Sequence, residues 1–283
     1  MKTAQHVKEA GKLVSEWKTG GFTVGLVPTM GYLHEGHESL MRAARERTDK
    51  LVVSIFVNPA QFGPGEDLDR YPRDMDHDLA VCGRNQVDLI FTPTPEDMYP
   101  EGYSTYIDVQ GLTEGLCGRS RPTHFRGVCT VVCKLFNILR PDLAFFGQKD
   151  AQQLAVIKRM TKDLHLPVEI VGCPIIREAD GLAKSSRNAY LNAEERRAAL
   201  SLSRSLDLAE MAVRSGARDS AVLETLILKE LGSQPLIRPD YVEIVDAQNL
   251  LPVKHLAGEI LVALAACVGK TRLIDNRSFH LSA

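Results

Sequence analysis

Two histidines, His34 and His37, stand three residues apart in the stretch Pro28-Thr29-Met30-Gly31-Tyr32-Leu33-His34-Glu35-Gly36-His37, which joins an apolar β-type run to a helical pattern carrying Leu40, Met41 and Ala44. A strand, a glycine-containing turn and a helix N-terminus in that order present free backbone N–H groups and the positive end of a helix dipole, which together stabilise a phosphate. Gly31 and Gly36 let a phosphorylated ligand approach the main chain closely. Two imidazoles around such a turn can donate hydrogen bonds to phosphate oxygens that gain charge during a displacement. Zinc binding of the H-E-x-x-H kind needs histidines four apart on a helix, a spacing this stretch lacks. Two solvent-facing histidines in a turn remain the plain alternative.

Three further segments carry suitable groups. Phe145-Phe146-Gly147-Gln148-Lys149-Asp150 ends a strand-like run before a helical pattern. Lys149 then falls at the carboxyl edge of a sheet, where its ammonium can neutralise a polyphosphate, and Asp150 suits an N-cap as well as a ribose hydroxyl. Lys184-Ser185-Ser186-Arg187-Asn188 follows the Asp180-Gly181 turn and gathers two cations, two hydroxyls and an amide. That mixture serves a mobile phosphate clamp or a solvated polar loop. Asn58-Pro59-Ala60-Gln61-Phe62-Gly63 begins at another strand end, and its amides suit a hydroxylated acid or a loop cap. Arg121 to Gly127 precedes a helix and reads as a helix start with exposed arginines.

The elements that must position these groups follow from periodicity. Apolar runs at Phe22–Val27, Leu51–Val57, Val87–Phe91, Leu143–Phe146 and Val168–Val171 read as buried strands, most of them separated by helical patterns. This predicts an α/β, Rossmann-like parallel sheet with helices on both faces. Val128, Val131, Val132, Leu135, Phe136 and Leu139 form one helical stripe, and Leu154, Ile157, Thr161 and Leu164 another over Asp150–Leu164. Trp17 belongs to an amphipathic N-terminal helix and reads as packing. After Val171 the pattern changes to two helices near Ala193–Arg214 and Ser220–Leu231, then short strands at Tyr241–Val245, Ile260–Val268 and Thr271–Ile274. The predicted division is residues 1–175 as a ligand-binding Rossmann-like domain and 176–283 as a smaller α+β C-terminal domain with a short antiparallel sheet.

Composition narrows the function. Lys and Arg total 34 against 36 for Asp and Glu, a net charge of -2, so no broad field attracts nucleic acid or an anionic membrane. No uncharged apolar run reaches the roughly 18 to 20 residues of a membrane-spanning helix. Residues 1–9 lack the apolar core of a signal peptide, so a cytoplasmic location is expected. The six cysteines form no C-x-x-C pair and read as reduced thiols, with Cys129 and Cys133 as small core residues rather than metal ligands.

Taken together, PTMGYLHEGH, VSIFVNPAQF followed by YPR, RPTHFRGV, FFGQKDAQQL and READGLAKSSRNAYL resemble the pantothenate synthetase (pantoate–β-alanine ligase) family of the nucleotidyltransferase superfamily, along nearly the whole chain. The resemblance implies ATP-dependent condensation of pantoate with β-alanine through a pantoyl-adenylate, with Mg²⁺ on the triphosphate and no protein metal ligand, in a homodimer. It implies that Met30, Gly31, Tyr32, Leu33, His34, Glu35, Gly36 and His37 line the ATP site, with His37 a proton donor toward the reacting phosphate. Gly147, Gln148, Lys149 and Asp150 match a second ATP-contacting segment, and Ile176 a backbone contact to adenine. Lys184, Ser185, Ser186 and Arg187 match the phosphate loop, Lys184 standing where the family usually has Met or Leu. Gln61 and Gln153 match pantoate-holding positions, with Asn58 nearby. Rival expectations are a transferase of the same fold acting on a phosphorylated substrate, which would want more cations at Asn58, Gln61 and Gln153, a tRNA-binding module, which would want a basic face, and a non-catalytic nucleotide sensor.

Overall fold

The structure, a computed structural model, describes residues 1–281. In chain order the elements are β1 (Lys2–Ala4), α1 (Val7–Thr19), β2 (Val24–Thr29), α2 (Glu35–Arg47), β3 (Lys50–Ile55), α3 (Met75–Arg84), β4 (Leu89–Phe91), α4 (Pro95–Met98), α5 (Leu116–Ser120), α6 (His124–Leu139), β5 (Leu143–Gly147), α7 (Ala151–Asp163), β6 (Glu169–Cys173), α8 (Ala193–Arg214), α9 (Ser220–Gly232), β7 (Ile237–Asp246), β8 (Gly258–Val268) and β9 (Thr271–Leu281). Short 3₁₀ turns occupy Pro59–Gln61, Gln148–Asp150 and Ser186–Tyr190. The chain divides into two compact units, one of Met1–Val109, Arg121–Gln148 and Val156–Pro174, the other of Gln110–Ser120, Lys149–Ala155 and the chain from Ile175 onward.

In the first unit six strands form a parallel sheet in the order β1-β4-β3-β2-β5-β6. Strands β3 and β4 extend it on one side of β2, and β5 and β6 on the other. That reversal makes the end of β2 a topological switch point, where open α/β sheets bind ligands. Val27, Leu51, Val53, Ile55 and Ile90 pack with Leu40, Met41 and Ala44 of α2 and Val81 and Cys82 of α3. The alternate residues Leu26, Val52 and Leu89 are equally buried and, by the period of two, face the opposite side. Helix α1 packs on β2 and on α6.

Several boundaries differ from the sequence reading. The first predicted strand lies two residues later, because Phe22 is exposed while Pro28 fits inside β2. Pairing with β5 involves only Gly25 and Leu26 and has ended before Pro28, so the missing donor breaks no ladder there. Leu164 lies beyond α7 and is exposed, whereas Val156 and Met160 join Ile157 in the core. The edge strand β1 was not anticipated, and α3 only through the loop-to-helix region that the sequence shows around Asp78.

In the second unit β7, β8 and β9 form an antiparallel sheet. Ala199, Leu202 and Leu206 of α8 and Leu223, Ile227 and Leu231 of α9 pack with Ile244, Ile260, Val262 and Leu264 of that sheet. Asn192 starts α8 with a capping box to Glu195. No helix among the described residues is long and apolar enough to cross a membrane. All six cysteines are free thiols. Burial pushes the Cys129 thiol up to about 12, consistent with a core role, while Cys133 is only partly buried.

Candidate active site

The chain leaves β2 at the switch point through a turn in which Gly31 has φ 84° and Tyr32 φ 52°. A side chain at Gly31 would put its Cβ 2.9 Å from Asp78 Oδ2 and 3.0 Å from Ile55 Cγ2, so glycine is required by both conformation and space. Asp78, from α3, is buried and accepts the Tyr32 N–H at 2.9 Å and the Leu33 N–H at 2.7 Å. Burial pushes its carboxyl above the usual range against the pull of those amides. Thr29 Oγ1 accepts the Gly31 N–H at 3.2 Å.

Helix α2 then starts with a capping box built from histidines. His34 Nδ1 accepts the Gly36 N–H at 3.1 Å and His37 Nδ1 accepts the His34 N–H at 3.2 Å. The two ring centroids are 4.1 Å apart. This narrows the expectation that the turn offers free backbone N–H groups to an anion, since those of Gly31, Tyr32, Leu33, His34 and Gly36 are engaged within the protein. It also fixes the tautomers. An Nδ1 that accepts from an amide carries no proton, so each neutral ring bears its hydrogen on Nε2. In that state each ring carries its N–H donor at Nε2.

Close to the turn lies a chain of amides. Tyr99 Oη donates to Asn58 Oδ1 at 2.7 Å, while Asn58 Nδ2 donates to Gln61 Oε1 at 3.1 Å and to the Gly127 carbonyl at 3.2 Å. Gln61 Nε2 in turn contacts Met30 Sδ at 3.2 Å. Gln61 thus accepts through its oxygen and presents an N–H donor, which suits a carboxylate or hydroxyl oxygen. Asn58 is 1% exposed and committed at both ends, which makes it an orienting group for Gln61. Burial keeps the Tyr99 phenol above its usual pKa, so it stays a donor.

The Arg121–Gly127 segment does enter a helix, α6, but Arg121 is not the exposed arginine expected there. Arg121 is largely buried, pairs with Glu66 at 2.5 Å and donates to the Gln61 carbonyl at 3.3 Å, where His124 Nδ1 also donates at 2.9 Å. Burial acts upward on Glu66, but the Arg121 pair holds its carboxyl below the usual range. Gly127 lies so close to the Ala60–Gln61 backbone that any side chain would collide. Arg126 alone fits the expectation of exposure.

In the second unit, Lys149 and Asp150 end a 3₁₀ turn, and the Lys149 carbonyl accepts from Asn276 Nδ2 of β9 at 2.8 Å. Gln153 is half-buried on α7, beside Gln152, which bonds the backbone of Leu112, Gly115 and Cys117. The Ile176 carbonyl accepts the Lys184 N–H at 2.9 Å, closing a small loop whose bridge pairs Arg177 with Ala183. Arg177 is anchored on buried Asp275 by two bonds of 2.7 and 2.9 Å. Ser185 caps the 3₁₀ turn that carries Ser186 and Arg187. Beneath it Glu178 accepts from Arg196 at 2.7 Å and Asn188 at 2.9 Å, with Lys184 Nζ at 3.9 Å. Burial acts upward on Glu178, yet these partners keep it below the usual range.

Asp78, Tyr99, Glu178 and Asn276 thus hold candidate site residues, with Arg196 bracing Glu178, although sequence reasoning did not assign them. Only Asp78 gave a signal, as an acid at a loop-to-helix junction. Among the described residues no group of three His, Cys, Asp or Glu side chains could hold a metal ion.

Comparison with known proteins gives a consistent result. Residues 2–278 match the family described as pantoate-beta-alanine ligase. The chain is 58% identical over 275 residues to the pantothenate synthetase of Enterococcus faecalis, covering 97% of this chain and 98% of that protein. It is also 58% identical over 276 residues to that of Heliobacterium modesticaldum, covering 98% of each. Among solved structures, the pantothenate synthetase of Thermus thermophilus superposes with a TM-score of 0.94 at 44% identity, covering 98% of this chain and 99% of that one. A pantoate-beta-alanine ligase from Francisella tularensis, complexed with beta-gamma ATP and β-alanine, superposes with a TM-score of 0.81 at 32% identity, covering 98% and 97%. With a family match along almost its entire length and the parallel sheet and histidine turn described above, the chain belongs to the pantoate–β-alanine ligase family.

Proposed function

We propose that this ligase works in two half-reactions, with His34 and His37 acting on the phosphate through their Nε2–H groups. In the first, a pantoate carboxylate oxygen attacks the α-phosphorus of ATP, the bond from that phosphorus to the bridging oxygen breaks, and pyrophosphate leaves. A carboxylic acid with a pKa near ~4 is already ionised at neutral pH, so this nucleophile needs no base. The protein's task is alignment and charge neutralisation. His34 and His37 donate to the phosphate oxygens, Lys149 adds a fixed cation, and Ser185, Ser186 and Arg187, with Lys184 beside them, hold the departing pyrophosphate. Gly147, Gln148, Asp150 and the Ile176 backbone serve the adenosine end, as do Met30 through Leu33, Glu35 and Gly36 on the histidine side. Gln61 and Gln153 hold pantoate, and Asn58 aims Gln61.

In the second half-reaction the β-alanine amine, having lost a proton, attacks the acyl carbon; the carbon–oxygen bond to AMP breaks and pantothenate forms. The observation that supports the reading is the double Nδ1 acceptor arrangement, which puts the N–H of each neutral imidazole on Nε2, the donor a phosphate gaining charge would use. ATP and β-alanine as ligands are supported by the Francisella tularensis relative. Mg²⁺ travels with the triphosphate, held by phosphate oxygens and water, and supplies neutralising charge. The enzyme acts in the cytoplasm as a homodimer, which sedimentation of the purified chain tests.

Exchange of labelled pyrophosphate into ATP tests the chemistry. Exchange that requires pantoate is the expected result. Exchange supported only by other acids would redirect the substrate, and none with any acid would leave a nucleotide-binding protein without this activity.

A further inference from the structure

We propose that Asp78 and His77 are positioning residues that grip the Leu33 peptide from both sides and so set the geometry of His34 and His37. The proposal rests on the role given above to the two histidines. Leu33 is buried at 3% exposure, and its peptide groups meet α3 twice: its N–H reaches Asp78 Oδ1 at 2.7 Å, and its carbonyl accepts from His77 Nε2 at 2.9 Å. The second Asp78 oxygen takes the Tyr32 N–H at 2.9 Å. A carboxylate is the side chain this needs, because two consecutive amides demand two acceptor oxygens. An asparagine there would accept one and turn an NH₂ toward the other.

The grip is demanding because the turn is unusual. Gly31 and Tyr32 both have positive φ, a region L side chains rarely adopt, so other conformations compete once the clamp is gone. The residue that follows is His34, the cap of α2, whose own N–H goes to His37 Nδ1. A loosened Leu33 therefore disturbs the pair of bonds that sets both tautomers. Helix α3 is itself braced on α2, where Arg84 meets Glu38 with two bonds of 2.9 and 2.8 Å and Asn85 adds a third at 2.9 Å. Asp74 caps its start by accepting the His77 N–H at 3.0 Å, which places His77 and Asp78 in its first turns. Through these contacts α3 acts as a splint for the histidine turn.

The test compares Asp78→Asn, His77→Ala and His77→Gln with His37→Ala, in pantoate-dependent pyrophosphate exchange and in long-range ¹⁵N–¹H spectra that report histidine tautomers. Asp78→Asn is expected to lower turnover about 10²-fold with the KM for pantoate unchanged, the effect of an ångström-scale misplacement, and to mix the tautomers of His34 and His37. His77→Ala is expected to lose about 10-fold, and His77→Gln to regain most of it, since a glutamine amide can donate to the Leu33 carbonyl. Wild-type turnover in Asp78→Asn while His37→Ala is inactive overturns the clamp alone. Wild-type turnover in both overturns the histidine reading beneath it. If Asp78→Asn fails to fold, the His77 pair decides, with an unimpaired His77→Ala counting against the proposal. Recovery of Asp78→Asn by added Mg²⁺ would show that Asp78 acts through the metal and also overturns it.

Discussion

Replacing Gly127 with alanine should cost more function than stability. A methyl group there would stand 2.2 Å from the Ala60 carbonyl oxygen, 2.4 Å from its carbon and 2.6 Å from Gln61 Cα, where ordinary contact begins at 3.4 Å. All three atoms are backbone, so the 3₁₀ turn bearing Gln61 and the start of α6 must separate by roughly 1 Å. Overpacking of this kind costs about 1–3 kcal/mol, and the better helix propensity of alanine returns about 1 kcal/mol. The net loss of stability is therefore no more than about 2 kcal/mol. The same movement carries Gln61 away from its bond with Asn58 and weakens the Asn58 bond to the Gly127 carbonyl. An ångström at a substrate-aligning group is worth about 10² in rate, or about 2.7 kcal/mol of transition-state stabilisation. The assay is kcat/KM for pantoate in pyrophosphate exchange, set beside the urea midpoint of the same variant. A kcat/KM within about twofold of wild type would refute the reasoning, because neither the close approach nor the alignment of Gln61 would then matter.

His37→Ala and Lys149→Ala are each expected to slow pantoate-dependent exchange by about 10²–10³, the scale for losing one charge-stabilising donor, with the denaturation midpoint little changed. His34→Asn should keep α2 capped, since asparagine is a strong N-cap, and still lose activity in the same assay because the Nε2 donor is gone. Tyr99→Phe removes the donor to Asn58 Oδ1, a loss of about 0.5–1.5 kcal/mol, and should raise the KM for pantoate about 3- to 10-fold with turnover retained. Glu38 is held down to about 2 by its Arg84 and Asn85 bonds, although burial opposes them, from an ordinary 4.5. A depressed carboxylate contributes stability that is present above pH 4.5 and lost as pH falls toward 2, so urea midpoints of Glu38→Gln should depend less on pH across that window than those of wild type.

The sheet was legible because its strands are buried on both faces. Leu51 to Ile55 and Leu89 to Phe91 are nearly unbroken apolar runs, and such runs separated by helical stripes leave little choice but a parallel arrangement. The edge strand β1 was not legible. It spans three residues, Lys2 to Ala4, of which only Ala4 is buried, too short for a period of two to register. The C-terminal strands were read too short for a related reason. Strand β9 continues through Asp275, Asn276 and Arg277, polar residues whose burial or pairing arises from tertiary partners such as Arg177 and the Lys149 carbonyl. Helix α3 has an acidic start and only three buried positions, Asp78, Val81 and Cys82, so its apolar stripe is thin.

The chemistry-bearing motifs announced themselves by residue type, but the way the histidine turn offers its donors did not. Sequence alone places a glycine turn before a helix and invites the inference of an open nest of amides. What it omits is that Asp78, 45 residues beyond Leu33, fills that nest with the protein's own carboxylate. With those amides committed, side-chain donors gain weight in any meeting between this turn and a phosphate, and a neutral histidine donates from Nε2 while its Nδ1 accepts. The backbone supplies those bonds: the amide of Gly36 holds His34 Nδ1 and the amide of His34 holds His37 Nδ1. Serine or asparagine would cap the helix equally well but leave no outward N–H of the right reach. Protonation of either ring would put a hydrogen on Nδ1 and break a cap bond, so the start of α2 and the neutral donor state stand or fall together. The spacing of three between His34 and His37 is the capping-box spacing, and one geometric requirement thereby fixes both the helix start and the tautomers of the two neutral rings.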